Sequence, residues 1–351
     1  MSFRKLYKVE DLPVFQQFMY DNKESALNCP KGNLLLVEDL LTGLIYNQLF
    51  NPKLMNYDKN YQNEQGFSSV FNNHLEFVSS IIEQQIGKNS IIEIGCGKGL
   101  FLELLEKMEF EITGFDPAYE GSNINIVKAP FEQKSHLKAE GVILRHVLEH
   151  IKTPYDFLTN ISLANNEKGK IYIEVPCFDW ILNNNAWYDI FYEHVNYFRL
   201  SDLKNMFSKV YDSGKLFGDQ YIYIVADLAS LKEPVYNKNN SIIIPDAFMN
   251  NNYSTNQNIN SNKKSFVWGG GSKGTIFTLL KNRSGYKIDG IVDINPAKQG
   301  KYIPAIGEKV ISPEQAAKKF PERSNCYVMN SNYLNEIKYM SKNRYNYITI
   351  D

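Results

Sequence analysis

An acid followed by a glycine-rich turn is the first pattern that suggests chemistry. The segment IIEIGCGKGLF, residues 91–101, places Glu93 in a short apolar run and Gly95, Gly97 and Gly99 directly after it. Glycines at a strand-to-helix turn permit a tight backbone and the close approach of a ligand. A carboxylate that faces this ligand would repel a diphosphate and attract a cationic or amino-bearing molecule. The pattern therefore predicts a pocket for a small molecule with positive charge.

A dense group of polar and aromatic side chains follows later in the chain. The segment WYDIFYEHVNYF, residues 187–198, contains Tyr192, Glu193 and His194. A core segment would not include so many groups that need hydrogen-bond partners. Because histidine titrates near neutral pH, His194 beside Glu193 is a candidate general base with a tuning carboxylate. The alternative is an aromatic structural loop.

A second glycine turn lies near the other end of the chain, in the segment FVWGGGSKGT. Gly269, Gly271 and Gly274 form G-x-G-x-x-G between a predicted strand and a predicted helix, and Asp293 ends the next strand. By motif alone this is a nicotinamide dinucleotide fingerprint, which makes an NAD(P)-linked oxidoreductase one alternative. Lys273 at the start of the helix is instead a candidate contact for a substrate phosphate, or has a structural role alone.

Strand and helix patterns alternate around both glycine turns. The alternation predicts an α/β protein with a central Rossmann-like domain at 76–227 and a second Rossmann-like domain at 265–351. Residues 228–264 are rich in Asn and Ser and suit a linker more than a core. Residues 1–75 combine turns with apolar runs, which indicates a small β-rich and helical unit that acts as a lid or substrate-binding part.

Composition narrows the class of protein. The 351 residues suffice for two or three domains, and the net charge of −1 argues against a broad nucleic-acid or membrane surface. The cysteines, Cys29, Cys96, Cys177 and Cys326, form no CxxC pair, which excludes a zinc cluster or redox motif of that type. Without an apolar leader or a run of ~20 apolar residues, we expect a cytoplasmic protein with a small-molecule substrate. The oligomeric state stays open.

The string IIEIGCGKG with GFDP downstream resembles the class I S-adenosylmethionine-dependent methyltransferases. The resemblance implies S-adenosylmethionine as cofactor, with its methionine part at the acid and glycine turn, including Cys96. It also implies that Asp116, followed by Pro117, accepts hydrogen bonds from the ribose hydroxyls. In APFEQ it places Phe131 near the adenine, with ordinary core packing as the alternative. In VILRHVLEHI it directs His146 toward cofactor and substrate.

The two histidines and the acid of the last string have another interpretation. If this segment is helical, His146 and His150 are four residues apart on one face, and with Glu149 they offer ligands that zinc accepts. The string HVLEHI is, however, common in metal-free methyltransferases. The prediction is therefore a site without metal.

From about residue 57 to the end, the chain resembles the sugar C-methyltransferases that act on nucleotide-linked keto-deoxysugars. The segment 187–198 with LSDLKNMF and the C-terminal VWGGGSKGTIFTLL and GIVDINPAKQGKYIPAIGEKVISPEQ support this resemblance. It implies that His194 removes a proton next to a ketone, and that the enolate then attacks the sulfonium methyl, with Glu193 at the substrate. The string YDKNYQNEQ resembles the lid of that family and implies Tyr57, Tyr61 and Gln62 as substrate contacts.

Two departures keep alternatives open. That family begins with a zinc domain built on cysteines, and here only Cys29 is present in the region. It also has a tyrosine two residues before the glutamate, where this chain has Phe191, with Tyr192 beside it as a candidate catalytic group. We predict methylation of a nucleotide-linked sugar or surface-glycan precursor in polysaccharide biosynthesis, with carbon methylation favoured. Oxygen methylation, the oxidoreductase and a non-catalytic glycan-cluster protein are the alternatives.

Overall fold

The N-terminal unit is an antiparallel sheet completed by a strand from elsewhere. The computed structural model describes residues 2–55, 61–132, 138–249 and 263–351. Strands β1 (Phe3–Pro13), β2 (Lys31–Asp39) and β3 (Ile45–Asn47) pair in that order, helix α1 spans Lys23–Leu27, and β9 (Asn196–Tyr197) adds the fourth strand beside β3. The polar segment around His194 is therefore tied to the N-terminal unit by backbone pairing.

Helix α2 (Ser69–Gln85) connects this unit to the next sheet. The Ser68 hydroxyl accepts a hydrogen bond from the Phe71 N–H at its N-terminus, 3.3 Å. Leu75, Val78 and Ile82 recur at helical spacing and are buried, so apolar packing fixes one face of the helix. The helix crosses the predicted boundary at residue 75, and the central unit therefore begins earlier than the sequence pattern placed it.

The central unit is a seven-stranded sheet in the order β10-β11-β8-β7-β4-β5-β6. Strand β11 runs antiparallel to both neighbours and the other pairings are parallel. The bounds are β4 Ile91–Ile94, α3 Leu100–Lys107, β5 Ile112–Phe115, β6 Ile126–Val127, β7 Gly141–Arg145, α4 Pro154–Ala164, β8 Lys170–Pro176, α5 Phe178–Asn183, α6 Leu200–Asn205, β10 Val210–Leu216 and β11 Tyr221–Asp227. The strand order reverses between β4 and β7, where open α/β sheets form their ligand crevice.

The C-terminal unit is a five-stranded parallel sheet in the order β14-β13-β12-β15-β16. Its elements are β12 Ser265–Trp268, α8 Ser272–Arg283, β13 Ile291–Val292, β14 Val310–Ile311, α9 Pro313–Lys319, β15 Asn325–Val328, α10 Leu334–Met340 and β16 Asn346–Thr349. This sheet reverses between β12 and β15 and has its own crevice there. The predicted α/β architecture with two Rossmann-like units is confirmed.

The described part of the predicted linker has a packing role. The Ile242 N–H donates to Glu38 Oε1 of β2 at 2.9 Å, and the Phe248 ring lies 5.1 Å from the Tyr7 ring of β1. Ile242 and Phe248 are buried, and a short helix, α7, spans Asp246–Met249. The linker prediction is wrong for these residues, because isolated apolar side chains in an Asn-rich stretch here cover the N-terminal sheet.

Short helical turns and buried thiols complete the fold. Turns of 3-10 helix occur at Pro52–Leu54, Leu148–His150, Trp187–Asp189, Leu228–Ser230, Lys238–Asn240 and Ser331–Tyr333. All four cysteines are reduced and buried, at 6% exposure for Cys29, 8% for Cys96 and 0% for Cys177 and Cys326. Within the described ranges, no helix combines the length and apolarity needed to cross a membrane.

Candidate active site

The two sheet crevices open into one cavity of about 390 Å3. The first crevice contributes Glu93, Gly95, Cys96, Gly97, Arg145 and His146, and the second contributes Trp268, Gly269, Gly271, Ser272, Lys273, Met329 and Asn330. Tyr61, Asp189 and His194 also line this cavity. The fold therefore brings both glycine turns and the candidate base into one space.

Asp116 holds the first glycine turn by hydrogen bonds. Its Oδ2 accepts the Gly97 N–H and its Oδ1 accepts the Ala118 N–H, each at 2.8 Å. Gly95, Gly97 and Gly99 have φ values of 77°, 56° and 86°, in the left-handed region that favours glycine. Burial raises the pKa of Asp116 despite these bonds. Among the described residues that line the cavity, Asp116 and Gly99 do not appear.

Glu93 places a buried carboxylate against the cavity. The side chain is 3% exposed, and its Oε2 has no hydrogen-bond partner among the described residues. Burial raises the pKa of Glu93 to about 7, Asp116 adds to the rise, and Arg145 opposes it. An unpaired buried acceptor of this kind fits an amino group of the cofactor, so the residues present agree with the predicted methionine site.

Phe131 and Pro117, both predicted to contact the cofactor, do not line the described cavity. Phe131 packs edge-on against Phe115 and Phe157, with ring centroids 6.3 Å apart in each pair, and does not line the described cavity. Pro117 is exposed and is also not among the described lining residues. The structure thus favours the core-packing interpretation of Phe131, whose aromatic neighbours come from separate elements that a local motif does not reveal.

His146 is held between two carboxylates. Its Nε2 lies 3.2 Å from Glu174 Oε1, and its Nδ1 lies 3.3 Å from Glu149 Oε1. Burial alone lowers the pKa of His146, but these two acids outweigh burial and raise it to about 9. The ring also contacts Tyr221, with centroids 4.5 Å apart. The structure therefore places His146 at the cavity wall, with its ring held between the two acids.

Glu174 organises a buried cluster that the sequence interpretation missed. It bonds to Arg145 at 3.2 Å, to the Tyr172 hydroxyl at 2.8 Å and to His74 Nε2 at 3.0 Å. Burial raises the pKa of Glu174, but Arg145 and the histidines hold it well below its usual range. Arg145 on β7 pairs with Glu174 on β8 across the sheet. A basic and an acidic residue in two predicted neighbouring strands could therefore have indicated this ion pair from the sequence.

His194 is a buried neutral imidazole. Burial, reinforced by His150, His146 and Lys273, lowers the pKa of His194 well below its usual value. Its ring lies 4.1 Å from the Phe191 ring and 4.9 Å from the His150 ring, measured between centroids. His150 Nδ1 lies 3.0 Å from the Glu193 carbonyl oxygen, which fixes that ring in place. A neutral base beside the first crevice is the arrangement that proton abstraction needs.

The carboxylate of Glu193 points to the N-terminal unit and not to His194. Its Oε1 accepts the Gln16 N–H at 3.1 Å, and its Oε2 accepts the Tyr61 hydroxyl at 2.8 Å. The prediction that Glu193 tunes its sequence neighbour is therefore wrong. Tyr192 and Glu193 lie in a turn that directs neighbouring side chains to different parts of the molecule, so adjacency in sequence did not imply contact. Glu193 instead positions Tyr61 at the cavity.

The prediction of Tyr192 as a catalytic group is also wrong. Its hydroxyl accepts the Asn51 N–H at 2.8 Å, and its ring packs against Phe50 with centroids 5.6 Å apart. A Cβ added to Gly32 would lie 2.3 Å from this ring, so the N-terminal sheet needs a glycine there. Phe191, and not Tyr192, lines the described cavity.

The segment 61–68 bridges the first glycine turn and the C-terminal unit. Lys98 of the turn donates to Gln62 Oε1 at 2.8 Å, which gives Gln62 a structural contact. Glu336 of α10 accepts hydrogen bonds from the Ser68 hydroxyl at 2.7 Å and from the Ser69 N–H at 2.9 Å. Tyr61, predicted to contact the substrate, lines the cavity, whereas Tyr57 lies outside the described residues.

Lys273 reaches across the units. Its Nζ lies 3.0 Å from Asp189 Oδ2 and donates to Gln220 Oε1 at 2.8 Å. The C-terminal unit is thereby fixed to the segment that carries His194. Lys273 lines the cavity, and its described partners are protein groups of the central unit, in line with the structural alternative.

The histidine–acid arrangement differs from the one considered for zinc. Leu148–His150 is a single 3-10 turn, so the i, i+4 pairing of His146 with His150 does not form. The ligand atoms of Glu149, His150 and His194 instead lie within 4.8 Å of one another. A divalent cation there would bind the imidazole that acid–base chemistry needs, so the two interpretations exclude each other.

Comparison with known proteins identifies the central unit. A family model described as a methyltransferase domain matches residues 62–210. Residues 62–210 form a methyltransferase domain. The match confirms the prediction of a class I S-adenosylmethionine-dependent methyltransferase for this part of the chain, whose first glycine turn, acid and sheet order are described above.

Relatives of the methyltransferase domain cover only part of the chain. The C-methyltransferase NovU of Streptomyces niveus is 26% identical over 150 residues, which are 38% of this chain and 36% of that protein. The chain therefore spans about a third of the length of the curated relative it matches. A solved Burkholderia thailandensis 1,6-didemethyltoxoflavin-N1-methyltransferase is 14% identical with a TM-score of 0.34, covering 45% of this chain and 80% of its own. A SAM-dependent methyltransferase from Archaeoglobus fulgidus is 19% identical with a TM-score of 0.33, covering 45% and 99%.

Proposed function

We propose that this protein transfers a methyl group from S-adenosylmethionine to a carbon of a nucleotide-linked keto-sugar, or of a related glycan precursor in polysaccharide biosynthesis. The observation that supports this most is the position of His194. A neutral buried imidazole lines the same cavity as the acid and glycine turn of the methyltransferase domain. The partial similarity to the C-methyltransferase NovU supports carbon as the acceptor atom.

Residues of the first crevice would hold the cofactor. Glu93 would accept a hydrogen bond from the amino group, while Gly95, Cys96 and Gly97 offer backbone at close approach. Asp116 keeps this turn in shape through the Gly97 N–H, and one of its oxygens would exchange this bond for a ribose hydroxyl. When bound, the cofactor supplies an electrophilic methyl group.

The chemistry assigned to the chain is proton removal. His194 takes the proton from the carbon next to the substrate ketone, and the electron pair of that C–H bond moves toward the carbonyl oxygen. General base catalysis of this kind contributes ~10²–10⁴ in rate. The Phe191 ring packs beside the His194 ring and shields it from water, which favours the neutral form of the base.

Replacing the base tests the proposal directly. His194→Asn should lower turnover about 10²–10⁴-fold while the affinity for S-adenosylhomocysteine stays within about twofold. Tyr192→Phe is the matched control from the same segment, and its turnover should stay near that of the native protein. Turnover by candidate keto-sugar nucleotides is followed as S-adenosylhomocysteine release. Retained turnover in His194→Asn would remove this residue from the role of base.

Oxygen methylation is the second candidate, because Phe191 stands where the resembling family has a tyrosine. Solvent deuterium exchange into the substrate without cofactor separates the two, since only carbon methylation requires an enolate. We expect exchange at the carbon next to the ketone, lost in His194→Asn. Absence of exchange together with methyl transfer would establish the oxygen route.

Two further alternatives are settled by binding and chelation. An NAD(P)-linked oxidoreductase requires that NADH bind more tightly than S-adenosylhomocysteine in calorimetry, and we expect the reverse. A cation at Glu149, His150 and His194 would make activity sensitive to chelators. We expect full activity after dialysis against EDTA.

A further inference from the structure

A buried carboxylate at the cavity wall has no part in the reaction above. Glu149 is 1% exposed and lines the cavity, and neither Oε1 nor Oε2 has a hydrogen-bond partner among the described residues. Its Oε1 lies 3.3 Å from His146 Nδ1, which holds the carboxylate from the side of the first crevice. A buried acid without hydrogen bonds is unfavourable, so Glu149 can take up a donor inside the cavity.

The base becomes such a donor once it has taken a proton. One carboxylate oxygen of Glu149 and one ring nitrogen each of His150 and His194 lie within 4.8 Å of one another. A small rotation of the carboxylate or one bridging water spans a separation of this length. The carboxylate of Glu193 is directed to the N-terminal unit. Glu149, and not the sequence neighbour of His194, therefore offers a carboxylate to the base.

Proton removal gives His194 a charge that its surroundings disfavour. Burial, reinforced by His150, His146 and Lys273, lowers the pKa of His194 well below its usual value. An imidazolium at this place is therefore a stronger acid than usual, and it passes its proton to an acceptor within reach.

His150 and Glu149 both stand beside this imidazolium, and they differ in the charge that a proton would leave on them. A proton on His150 would make a second buried imidazole cationic. A proton on Glu149 instead combines a cation with an anion and leaves two neutral groups, which burial favours. His150 is also held with its Nδ1 3.0 Å from the Glu193 carbonyl oxygen, where the ring nitrogen is a donor. The carboxylate is therefore the favoured acceptor.

We propose that Glu149 accepts the proton that His194 takes from the substrate carbon. In this transfer the N–H bond of the imidazolium breaks, its electron pair stays on the ring nitrogen, and an O–H bond forms on Glu149. His194 is then neutral again. The proton passes to water when the products leave the cavity that Glu149 lines. This inference rests on the proposed function, because it follows the proton of that reaction.

Replacing the acceptor separates proton removal from proton release. Glu149→Gln keeps the shape of the side chain, and its first turnover should stay within about threefold of the native rate, because His194 still removes one proton. Steady-state turnover should fall about tenfold or more, so rapid quenching should show a burst of about one S-adenosylhomocysteine per protein. The substrates are dTDP-linked and UDP-linked keto-deoxyhexoses.

A second measurement follows the proton itself. Solvent deuterium exchange into the substrate without cofactor should also fall about tenfold or more in Glu149→Gln, since His194 then returns the same proton to carbon. Glu149→Asp keeps a carboxylate and should exchange faster than Glu149→Gln. Glu76→Gln removes an exposed acid of α2 and should change neither rate. The affinity for S-adenosylhomocysteine should agree within about twofold in all variants, which also reports that they fold.

Other results overturn the inference. Equal losses in the first turnover and the steady state of Glu149→Gln would give this acid a part in proton removal and not in proton release. Unchanged rates would leave it without a part, and a burst seen instead in His150→Gln would assign the proton to that imidazole. Loss of native activity on dialysis against EDTA would assign Glu149, His150 and His194 to a cation. Failure of S-adenosylhomocysteine to bind the native protein would contradict the proposed function itself.

Discussion

Burial acts in opposite directions on the two polar side chains that matter most in the cavity. It raises the pKa of Glu93 to about 7, and with neighbouring cations it lowers the pKa of His194 well below its usual value. Both effects disfavour charge on a group removed from water. At neutral pH the cavity therefore presents a neutral His194 imidazole and a partly protonated Glu93 carboxyl group.

The raised pKa of Glu93 predicts how cofactor affinity depends on pH. A ligand with a cationic amino group binds the ionised carboxylate better, so its affinity should rise as the pH increases to about 7 and then level off. Below that pH, the affinity should fall by up to about tenfold for each pH unit of decrease. Calorimetric titration of S-adenosylhomocysteine between about pH 5.5 and 8 measures this slope. In Glu93→Gln the slope should disappear, and equal slopes in the two proteins would contradict the assignment.

Sequence could reveal the residues whose neighbours are local. Glu93, the first glycine turn and His194 lie in contiguous strings, and all reach the cavity. Glu174 could not be assigned, because its partners come from α2, from the end of β7 with the residue after it, and from β8 itself. The sequence indicates Tyr192 as the candidate catalytic group beside Phe191, yet the direction of neighbouring side chains depends on how β9 and the N-terminal sheet hold the segment.

At the scale of elements, helix α8 approaches the second glycine turn very closely at Gly274. A Cβ added to Gly274 on α8 would lie 1.9 Å from the Gly269 carbonyl oxygen, whereas one added to Gly271 would meet nothing nearer than 3.6 Å. Backbone atoms at such a contact cannot rotate away as side chains do. The third glycine of the fingerprint is thus a packing requirement of this unit, whatever ligand the turn binds.

Gly274→Ala should therefore destabilise the C-terminal unit. We expect a loss of about 3 kcal/mol or more in the free energy of unfolding, at the upper end of overpacking effects. Gly271→Ala is the matched control, with a change below about 1 kcal/mol. Urea denaturation followed by circular dichroism measures both. Equal stability of the two variants would contradict the close approach of α8 to the turn.

Elements with a strong hydrophobic periodicity could be predicted from the sequence, whereas short elements could not. The apolar spacing of α2 and the alternation of strands and helices in both Rossmann-like units follow from the sequence. Strand β9 has two residues, too few for any period, and it joins a sheet whose other strands lie far away in sequence. The burial of Ile242 and Phe248 could not be predicted from the sequence, because it depends on the N-terminal sheet that they cover.

At the scale of the whole molecule, the C-terminal unit contributes directly to the wall of the cofactor crevice. Glu336 of α10 binds Ser68 and Ser69 at the start of α2, and Tyr333 donates to Gln65 Oε1 at 2.9 Å. Negative charge at a helix N-terminus is favourable. The segment 61–68 is therefore ordered by a unit that lies far along the chain.

Glu336→Ala should weaken cofactor binding although this residue belongs to the other Rossmann-like unit. Losing its hydrogen bonds should cost about 1–2 kcal/mol in ordering the segment 61–68, or about five- to thirtyfold in S-adenosylhomocysteine affinity. Glu322→Ala removes an exposed acid of the same unit and serves as control. Affinity is measured by calorimetry. An affinity equal to that of the control would show that the segment is ordered without this contact.

The alkylation rates of the four buried cysteines should report how often each part of the structure opens. Water-borne alkylating reagents attack thiolates, and burial both raises the pKa of these groups and hides the sulfur. Each cysteine should thus react only when its surroundings open: Cys29 with the N-terminal sheet, Cys96 with the first turn, Cys177 with the central sheet at the end of β8, and Cys326 with the last sheet. Labelling rates read by mass spectrometry would time these openings separately. S-adenosylhomocysteine should slow Cys96 more than Cys326.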